Sequence, residues 1–498
     1  MANWIGYGAN LLVMFFLSPF VVHSLGDSTY GVWSLLVSLT GYMGLVELGT
    51  RGGLDRFINF YLGKNNHQSV NGVVNTGLVM FLFIGLVLVA VASILACFFG
   101  TFFSKTPVEL LGVARITVIL VAINLWLIFI SAPFFQILTA FERFDLLNAI
   151  NLVSLAIRAV LTVVVLKNGC GIVALAVIQA IATLIGLLAT FYLSKRIYPQ
   201  LVINLSLASR FHFRELFTFS LWGFVSSVGM QLLYWTDNVV IAVLLGPEMV
   251  TYYSIAGMLV IYSRGIVEQC SRLFVPQMIK SIAKEDWDSV RKIFLNGSNL
   301  IMAVGIPLLT GIAVFGKQFI SLWMGPVYGT ESYQVLMILA CSQFFPFAIL
   351  LGGAVINGLN KVRYGALMTF GQAVTNLILS VILVKYYSMG IEGVAWGTFY
   401  PRLVFTIFMH GVILKWIGLP WDSFLRATVS RWAFIIIGFT AISLTILNID
   451  SSQNGWNYLG TRILLSSLLY VPLCWYVLLE KSTRGNLLSS VKLRWHEN

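Results

Sequence analysis

Runs of about 20 apolar residues recur along the whole chain, and they constrain its fold more than any motif does. A helix of that length crosses the ~30 Å hydrocarbon core of a bilayer while satisfying its own backbone hydrogen bonds. Fourteen such runs can be drawn, at roughly 4–24, 30–50, 72–100, 112–140, 147–166, 171–193, 216–245, 252–275, 293–323, 333–358, 364–386, 391–414, 430–448 and 459–479. Turn chemistry separates them, as at Gly26-Asp27-Ser28, Lys167-Asn168-Gly169 and Gly246-Pro247-Glu248. Only 10% of residues are charged, against about 25% in soluble domains. The expected fold class is therefore an all-α polytopic membrane protein of about 14 transmembrane helices. Met1 to Trp4 lacks a basic stretch and Leu11 to Val22 continues as a span, so no cleavable signal is expected.

A net charge of +12 raises the question of which loops carry it. With the N-terminus cytoplasmic, about 21 of the 31 Lys and Arg residues fall on the cytoplasmic side and 6 on the other. Such a bias places both termini in the cytoplasm and accounts for the charge without a nucleic-acid partner. Four arginines escape this sorting: Arg158, Arg264, Arg272 and Arg402.

An internal repeat explains part of the pattern. Gly44-Leu45-Val46-Glu47-Leu48-Gly49-Thr50-Arg51 matches Gly265-Ile266-Val267-Glu268-Gln269-Cys270-Ser271-Arg272 at Gly, Val, Glu and Arg. Leu25-Gly26 with Tyr30 likewise matches Leu245-Gly246 with Tyr252. A period of about 220 residues holding six spans keeps both halves in one orientation, as in parallel-repeat transporters. The expected domains are a six-helix lobe at 1–194 and an amphipathic cytoplasmic linker at 195–215. A second six-helix lobe at 216–418 follows, then the last two helices with a basic cytoplasmic tail at 419–498.

Ionised groups at membrane depth cost several kcal/mol, about 2.5–3.5 even on insertion scales, so they face protein or water. Arg264, Glu268 and Arg272 recur every four residues and share one helix face, as do Glu47, Arg51 and Asp55. Each triad can neutralise itself as a salt-bridge ladder, yet one Arg remains in excess in the second and Arg158 adds another. Surplus guanidinium suits an anion, above all a phosphate, because its fork donates two parallel hydrogen bonds at any relevant pH. Asp237 has three readings: a proton or sodium site, a partner for Arg264, or a helix-packing residue. His23 lies close enough to the outer interface to snorkel. Trp222, Trp235 and Trp396 sit deeper than an interface belt requires, within reach of a sugar face.

Catalytic chemistry has little to stand on. The sequence contains no HExxH, GxSxG or Walker pattern, and its loops are too short to build a catalytic domain. The five cysteines lack metal-ligand spacing. The expectation is a protein that is not an enzyme and holds no metal or cofactor, with coupling to H+ or Na+ left open.

Several segments resemble polysaccharide flippases of the Wzx type, within the multidrug/oligosaccharidyl-lipid/polysaccharide exporter superfamily. They are Pro19-Phe20-Val21-Val22-His23-Ser24-Leu25-Gly26 with Tyr30-Gly31, then Glu47-Leu48-Gly49 ahead of Arg56. In the second half they are Asp237-Asn238-Val239-Val240-Ile241 with Leu245-Gly246 and Tyr252. The resemblance runs to about residue 415. It implies a V-shaped bundle that alternates between inward- and outward-facing states in a bacterial inner membrane. Its cargo would be undecaprenyl-diphosphate-linked oligosaccharide, an O-antigen or exopolysaccharide repeat unit, moved from the cytoplasmic to the periplasmic leaflet. A polysaccharide polymerase and export machinery are the implied partners. The family often has an Arg before the Leu-Gly turn, where this chain has His23-Ser24, leaving His23 as a titrating substitute.

On this reading Arg264 and Arg158 bind the diphosphate and Arg272 and Arg51 attract it at the inner mouth. Asp237, Glu268, Glu47 and His23 pair charges or couple transport to an ion. A cation-coupled multidrug exporter or a lipid II flippase of the same superfamily are the alternatives, and the arginine excess argues against the first. A membrane glycosyltransferase or polymerase would need a long catalytic loop, which is absent from the sequence.

Overall fold

A computed structural model of the chain describes residues 2–47, 50–448 and 455–478. Leu48 and Gly49 of the first repeat and the basic tail, with Lys481, Arg484, Lys492 and Arg494, lie outside the described residues. The helices gather into two compact units, Met1–Thr251 and Tyr252–Asn498. In the first are α1 (Ala2–Leu25), α2 (Asp27–Met43), α3 (Thr50–Gly63), α4 (His67–Cys97), α5 (Phe99–Phe102), α6 (Val108–Ala140), α7 (Phe144–Lys167), α8 (Ile172–Ile197) and α9 (Arg210–Leu244). Helix α10 (Pro247–Ser271) starts there and continues into the second unit. The second holds α11 (Val275–Ala283), α12 (Trp287–Trp323), α13 (Pro326–Glu331), α14 (Tyr333–Ala348), α15 (Gly352–Gly358), α16 (Val362–Lys385) and α17 (Gly390–Ile417). It closes with α18 (Trp421–Phe424), a π-turn at Leu425–Val429, α19 (Ser430–Asn448) and α20 (Trp456–Val477).

Twelve helices among the described residues are long and apolar enough to cross a bilayer, or 13 if the α14–α15 pair, bent by 42°, is one crossing. The remaining expected span, 30–50, begins with α2. At 17 residues and 1.5 Å per residue, α2 reaches about 26 Å, at the lower end of the lengths that cross a bilayer. A 3₁₀ turn at Gly44–Glu47 ends it, and the chain resumes in α3. The repeated words thus mark helix breaks in both halves, because α10 likewise ends at Ser271, one residue before Arg272.

Repeat and packing divide the chain differently at α9. The repeat makes α9 the opening helix of the second half, yet it packs on α2, α3 and α4 in the first unit. Between lipid-facing helices there is no hydrophobic drive, so close approach and interhelical hydrogen bonds decide the contact. Tyr42 and Thr236 share a hydroxyl hydrogen bond of 2.6 Å, and Asn238 Nδ2 donates to Ser38 Oγ at 2.8 Å. A Cβ on Gly41 would overlap the Trp235 indole, so only glycine lets the two helices meet here.

Helix α8 runs to Ile197 and α9 begins at Arg210, leaving 198–209 as an extended stretch with a 3₁₀ turn at Leu205–Leu207. Two asparagines one turn apart on α4 hold it. Asn71 donates to Gln200 O at 2.9 Å and accepts from Val202 N at 3.0 Å. Asn75 donates to Val202 O at 2.7 Å and accepts from Asn204 N at 2.9 Å. The side chains supply what a neighbouring β-strand would, so a segment with no helix of its own keeps its backbone satisfied. Next to it, the Tyr61 hydroxyl donates to Glu215 Oε1 at 2.9 Å, and His212 Nδ1 lies 2.9 Å from Glu215 Oε2. Burial and the Glu215 carboxylate push the Tyr61 phenol up to about 12.

In the second unit α12 packs on α14, α19 and α20, so the last two helices share its core. Buried polar ties fix it. Arg402 Nη1 donates to Ser342 Oγ at 2.7 Å, and Asn376 Nδ2 to Thr398 Oγ1 at 2.8 Å. Asn299 accepts from Trp432 Nε1 at 2.9 Å and donates to Ala427 O, a carbonyl of the π-turn, at 3.3 Å.

A candidate anion cavity in the first unit

Helices α6, α7 and α8 enclose a cavity of about 320 Å³ that also reaches Arg51 at the start of α3. Each helix contributes one face at helical spacing: Ile128, Ser131, Ala132, Phe135 and Gln136; Ile150, Asn151, Ser154 and Arg158; Ala182, Thr183, Gly186, Leu187 and Thr190. Small residues make the room. A Cβ on Gly186 would lie 3.4 Å from Ser154 Oγ, in ordinary contact, so α7 and α8 already touch there and the space opens beyond.

Arg158 lies 14 residues into α7, about 21 Å along a helix of about 36 Å. Its side chain is part-buried, and no hydrogen bond or ion pair engages it among the described residues. Arg51 is placed differently. Its Nε sits 2.8 Å from Glu47 Oε1 across the helix break, with the guanidinium side chain 43% exposed and the carboxylate 15%. The Nε–H does not point at that oxygen, and the Arg51 side chain donates no hydrogen bond among the described residues, although its backbone N–H donates to the Glu47 carboxylate. The lining holds no Asp, Glu or His. Gln136, Asn151, Ser154 and Thr183 also keep unspent hydrogen-bonding groups among the described residues, whereas Thr190 Oγ1 donates to Gly186 O at 2.6 Å. Two guanidiniums surrounded by amides and hydroxyls can take the charge and several oxygens of a phosphorylated ligand.

The other expected residues fall elsewhere. Arg264 Nε pairs with Glu268 Oε1 at 2.5 Å in the second unit, one turn apart on α10. Arg272 is exposed just past the end of α10. The triads thus resolve into pairs of opposite polarity: Glu47 pairs with the Arg after it, Glu268 with the Arg before it. Asp55 is hydrogen-bonded by Asn59 at 3.2 Å. Asp237, 8% exposed, lies between Thr236 and Asn238 in the α2–α9 contact. His23 is exposed on the last turn of α1. Trp235 packs at Gly41, Trp396 stacks on Tyr400, and the Trp222 side chain lies outside the described residues. Sequence reading grouped Arg158 with Arg264 and Arg51 with Arg272, whereas the fold groups Arg158 with Arg51. It also passed over Gln136, Asn151, Ser154 and Thr183. Their signal was present: 151, 154 and 158 follow helical spacing inside an apolar run.

The helical fold is one that solved membrane transporters and flippases share. The solved structure of the lipid II flippase MurJ, in an inward closed conformation, superposes with a TM-score of 0.74 at 15% identity, covering 95% of this chain and 96% of that one. By sequence, the chain belongs to the family described as polysaccharide biosynthesis protein, which it matches over residues 24–332. It is 23% identical to the membrane protein EpsK of Bacillus subtilis, over 90% of each chain. It is 22% identical to a Shigella flexneri protein named as an O-antigen transporter, over 83% of this chain and 96% of that one.

Proposed function

We propose that this protein moves a lipid-linked oligosaccharide bearing a diphosphate from the cytoplasmic to the periplasmic leaflet of a bacterial inner membrane, with both termini cytoplasmic. One observation carries the reading: Arg158, near the middle of a membrane helix and engaged by no carboxylate among the described residues, lines a cavity with Arg51 and no acidic side chain. An anionic headgroup crossing hydrocarbon needs its hydration replaced, and these groups can replace it. The names of the relatives, an O-antigen transporter and a lipid II flippase, support the substrate class. Rocking of one helix bundle on another would expose the site to each leaflet in turn, biased by differential affinity for the loaded state. Asp237 and Glu268 are the groups proposed to respond to a coupling H+ or Na+, and a polysaccharide polymerase would receive the product.

The test is the pool of lipid-linked oligosaccharide in cells lacking the protein, with wild type, Arg158→Ala or Arg264→Ala restored. Complete units should build up on the cytoplasmic leaflet, relieved by wild type and not by Arg158→Ala. A normal pool with altered resistance to cationic drugs would overturn the reading in favour of an exporter.

A further inference from the structure

We infer that the second unit holds a resident glycerophospholipid, with one acyl chain in an apolar cavity and its ester carbonyl hydrogen-bonded to His410. The cavity, of about 370 Å³, lies among α12, α14, α17, the turn at Leu425–Val429 and α19. That volume is typical of ligand pockets. Its walls are mostly hydrocarbon and aromatic, from residues such as Met302, Phe344, Phe345, Phe424 and Ile436. His410 is the one ionisable side chain in that lining among the described residues. It is 5% exposed, and its Nε2 is buried with no hydrogen-bond partner among them. Phe424, Trp421 and Phe294, with ring centroids 4.4, 5.8 and 6.1 Å away, hold the imidazole in place. Buried polar atoms in native structures are nearly always paired, so an orphan on the wall of an open space calls for a partner that enters it.

Depth and charge select the occupant. Helix α17 runs for 28 residues, about 42 Å, close to the ~40–45 Å of a bilayer with its headgroups. His410 precedes Ile417, the last residue of α17, by two turns, hence about 10 Å from that end. This is just inside the hydrocarbon edge, beside the ester groups of a leaflet. The mouth of the cavity is apolar, with Ile407 51% and Leu425 44% exposed. Along 415–431 the chain carries Lys415, Arg426 and Arg431 against Asp422, a positive surplus that suits an anionic headgroup. An imidazole with its hydrogen on Nε2 donates to an ester carbonyl. A diacyl lipid brings that carbonyl on the same molecule as the chain that fills the cavity. The isoprenoid tail of the proposed cargo has no polar atom along its length and would leave Nε2 unpaired.

The experiment is native mass spectrometry of the full-length protein in detergent, titrated with diacyl phosphatidylglycerol or with its dialkyl ether analogue. The two lipids share chains and headgroup, and only the first has a carbonyl. Wild type should retain one diacyl lipid and bind it about 2- to 10-fold more tightly than the ether, the share of one hydrogen bond. His410→Leu should keep an apolar cavity and lose that preference. Ile407→Trp, at the exposed mouth, should weaken both lipids alike, which separates filling of the cavity from folding. Equal affinity of wild type for the two lipids would overturn the role of His410, and binding untouched by Ile407→Trp would overturn the cavity as the site. Displacement of the retained lipid by geranyl diphosphate would give the cavity to an isoprenoid tail and overturn the resident phospholipid. The anion cavity of the first unit stands or falls separately, because neither variant alters its lining.

Discussion

Arg158→Ala separates a ligand-binding arginine from a structural one. An arginine that knits a fold together has partners, and its loss leaves them unsatisfied, at about 3–5 kcal/mol for a buried ion pair. Arg158 has no hydrogen bond or ion pair among the described residues, so its removal strands nothing. A guanidinium at this depth costs about 2.5–3.5 kcal/mol on insertion scales, reduced here by the amides and hydroxyls of the cavity. Thermal stability of the purified variant should therefore be unchanged or raised. Ligand affinity should move the other way. Charge-assisted hydrogen bonds to a phosphate are worth about 1.5–3 kcal/mol, and losing about 2 kcal/mol weakens binding roughly 30-fold. Arg158→Lys should fall between, because the charge stays and the fork is lost. The assay pairs geranyl diphosphate calorimetry with a melting curve on the same nanodisc preparation. A variant that melts several degrees lower and binds as tightly as wild type would refute the reasoning and make Arg158 a packing residue.

Other perturbations follow from the same structure. Asn75→Ala removes hydrogen bonds to Val202 O and Asn204 N, costing about 2–4 kcal/mol locally; limited proteolysis should cut within 198–209 faster than in wild type, and unchanged cleavage would show that the clamp is dispensable. Gly41→Ala drives a methyl into the Trp235 indole and should cost about 1–3 kcal/mol; a double-mutant cycle with Trp235→Ala should recover most of it, and strict additivity would contradict the contact. The raised Tyr61 phenol, near 12, makes that residue's contribution complete below its ordinary value near 10 and lost as pH rises through the folded value. Tyr61→Phe should accordingly flatten the alkaline arm of the melting temperature against pH, and an unchanged arm would place the titrating group elsewhere.

The helical membrane fold was legible because hydrocarbon imposes one rule on every span, and a run of apolar residues announces it locally. The turn glycines and the helix ends at the repeat around Glu47 and Glu268 were legible for the same reason. Pairing was less so. Spacing puts Arg51 one turn from both Glu47 and Asp55, and Arg272 one turn from Glu268, but spacing is blind to where a helix breaks. Among the described residues, ion pairs within the two triads join Glu47 in the 3₁₀ turn to Arg51 in α3, and Arg264 to Glu268 inside α10, while Arg272 falls past the end of that helix. The linker shows the same limit: its basic and apolar residues mark an amphipathic segment, while its extended backbone is set by Asn71 and Asn75, some 130 positions away.

The sequence by itself determined that this chain lives in a membrane, that it is built on a repeat, and that it carries arginines and carboxylates within its apolar runs. Each of those follows from composition and periodicity, which act residue by residue. Only the tertiary structure decided that Arg158 and Arg51 share a cavity, that α9 joins the first unit, and that Asp237 is buried. Those outcomes depend on which helix faces meet. Between apolar helices the choice rests on a few glycines and hydrogen bonds, such as Gly41 against Trp235 and Tyr42 with Thr236, whose partners lie nearly 200 residues apart.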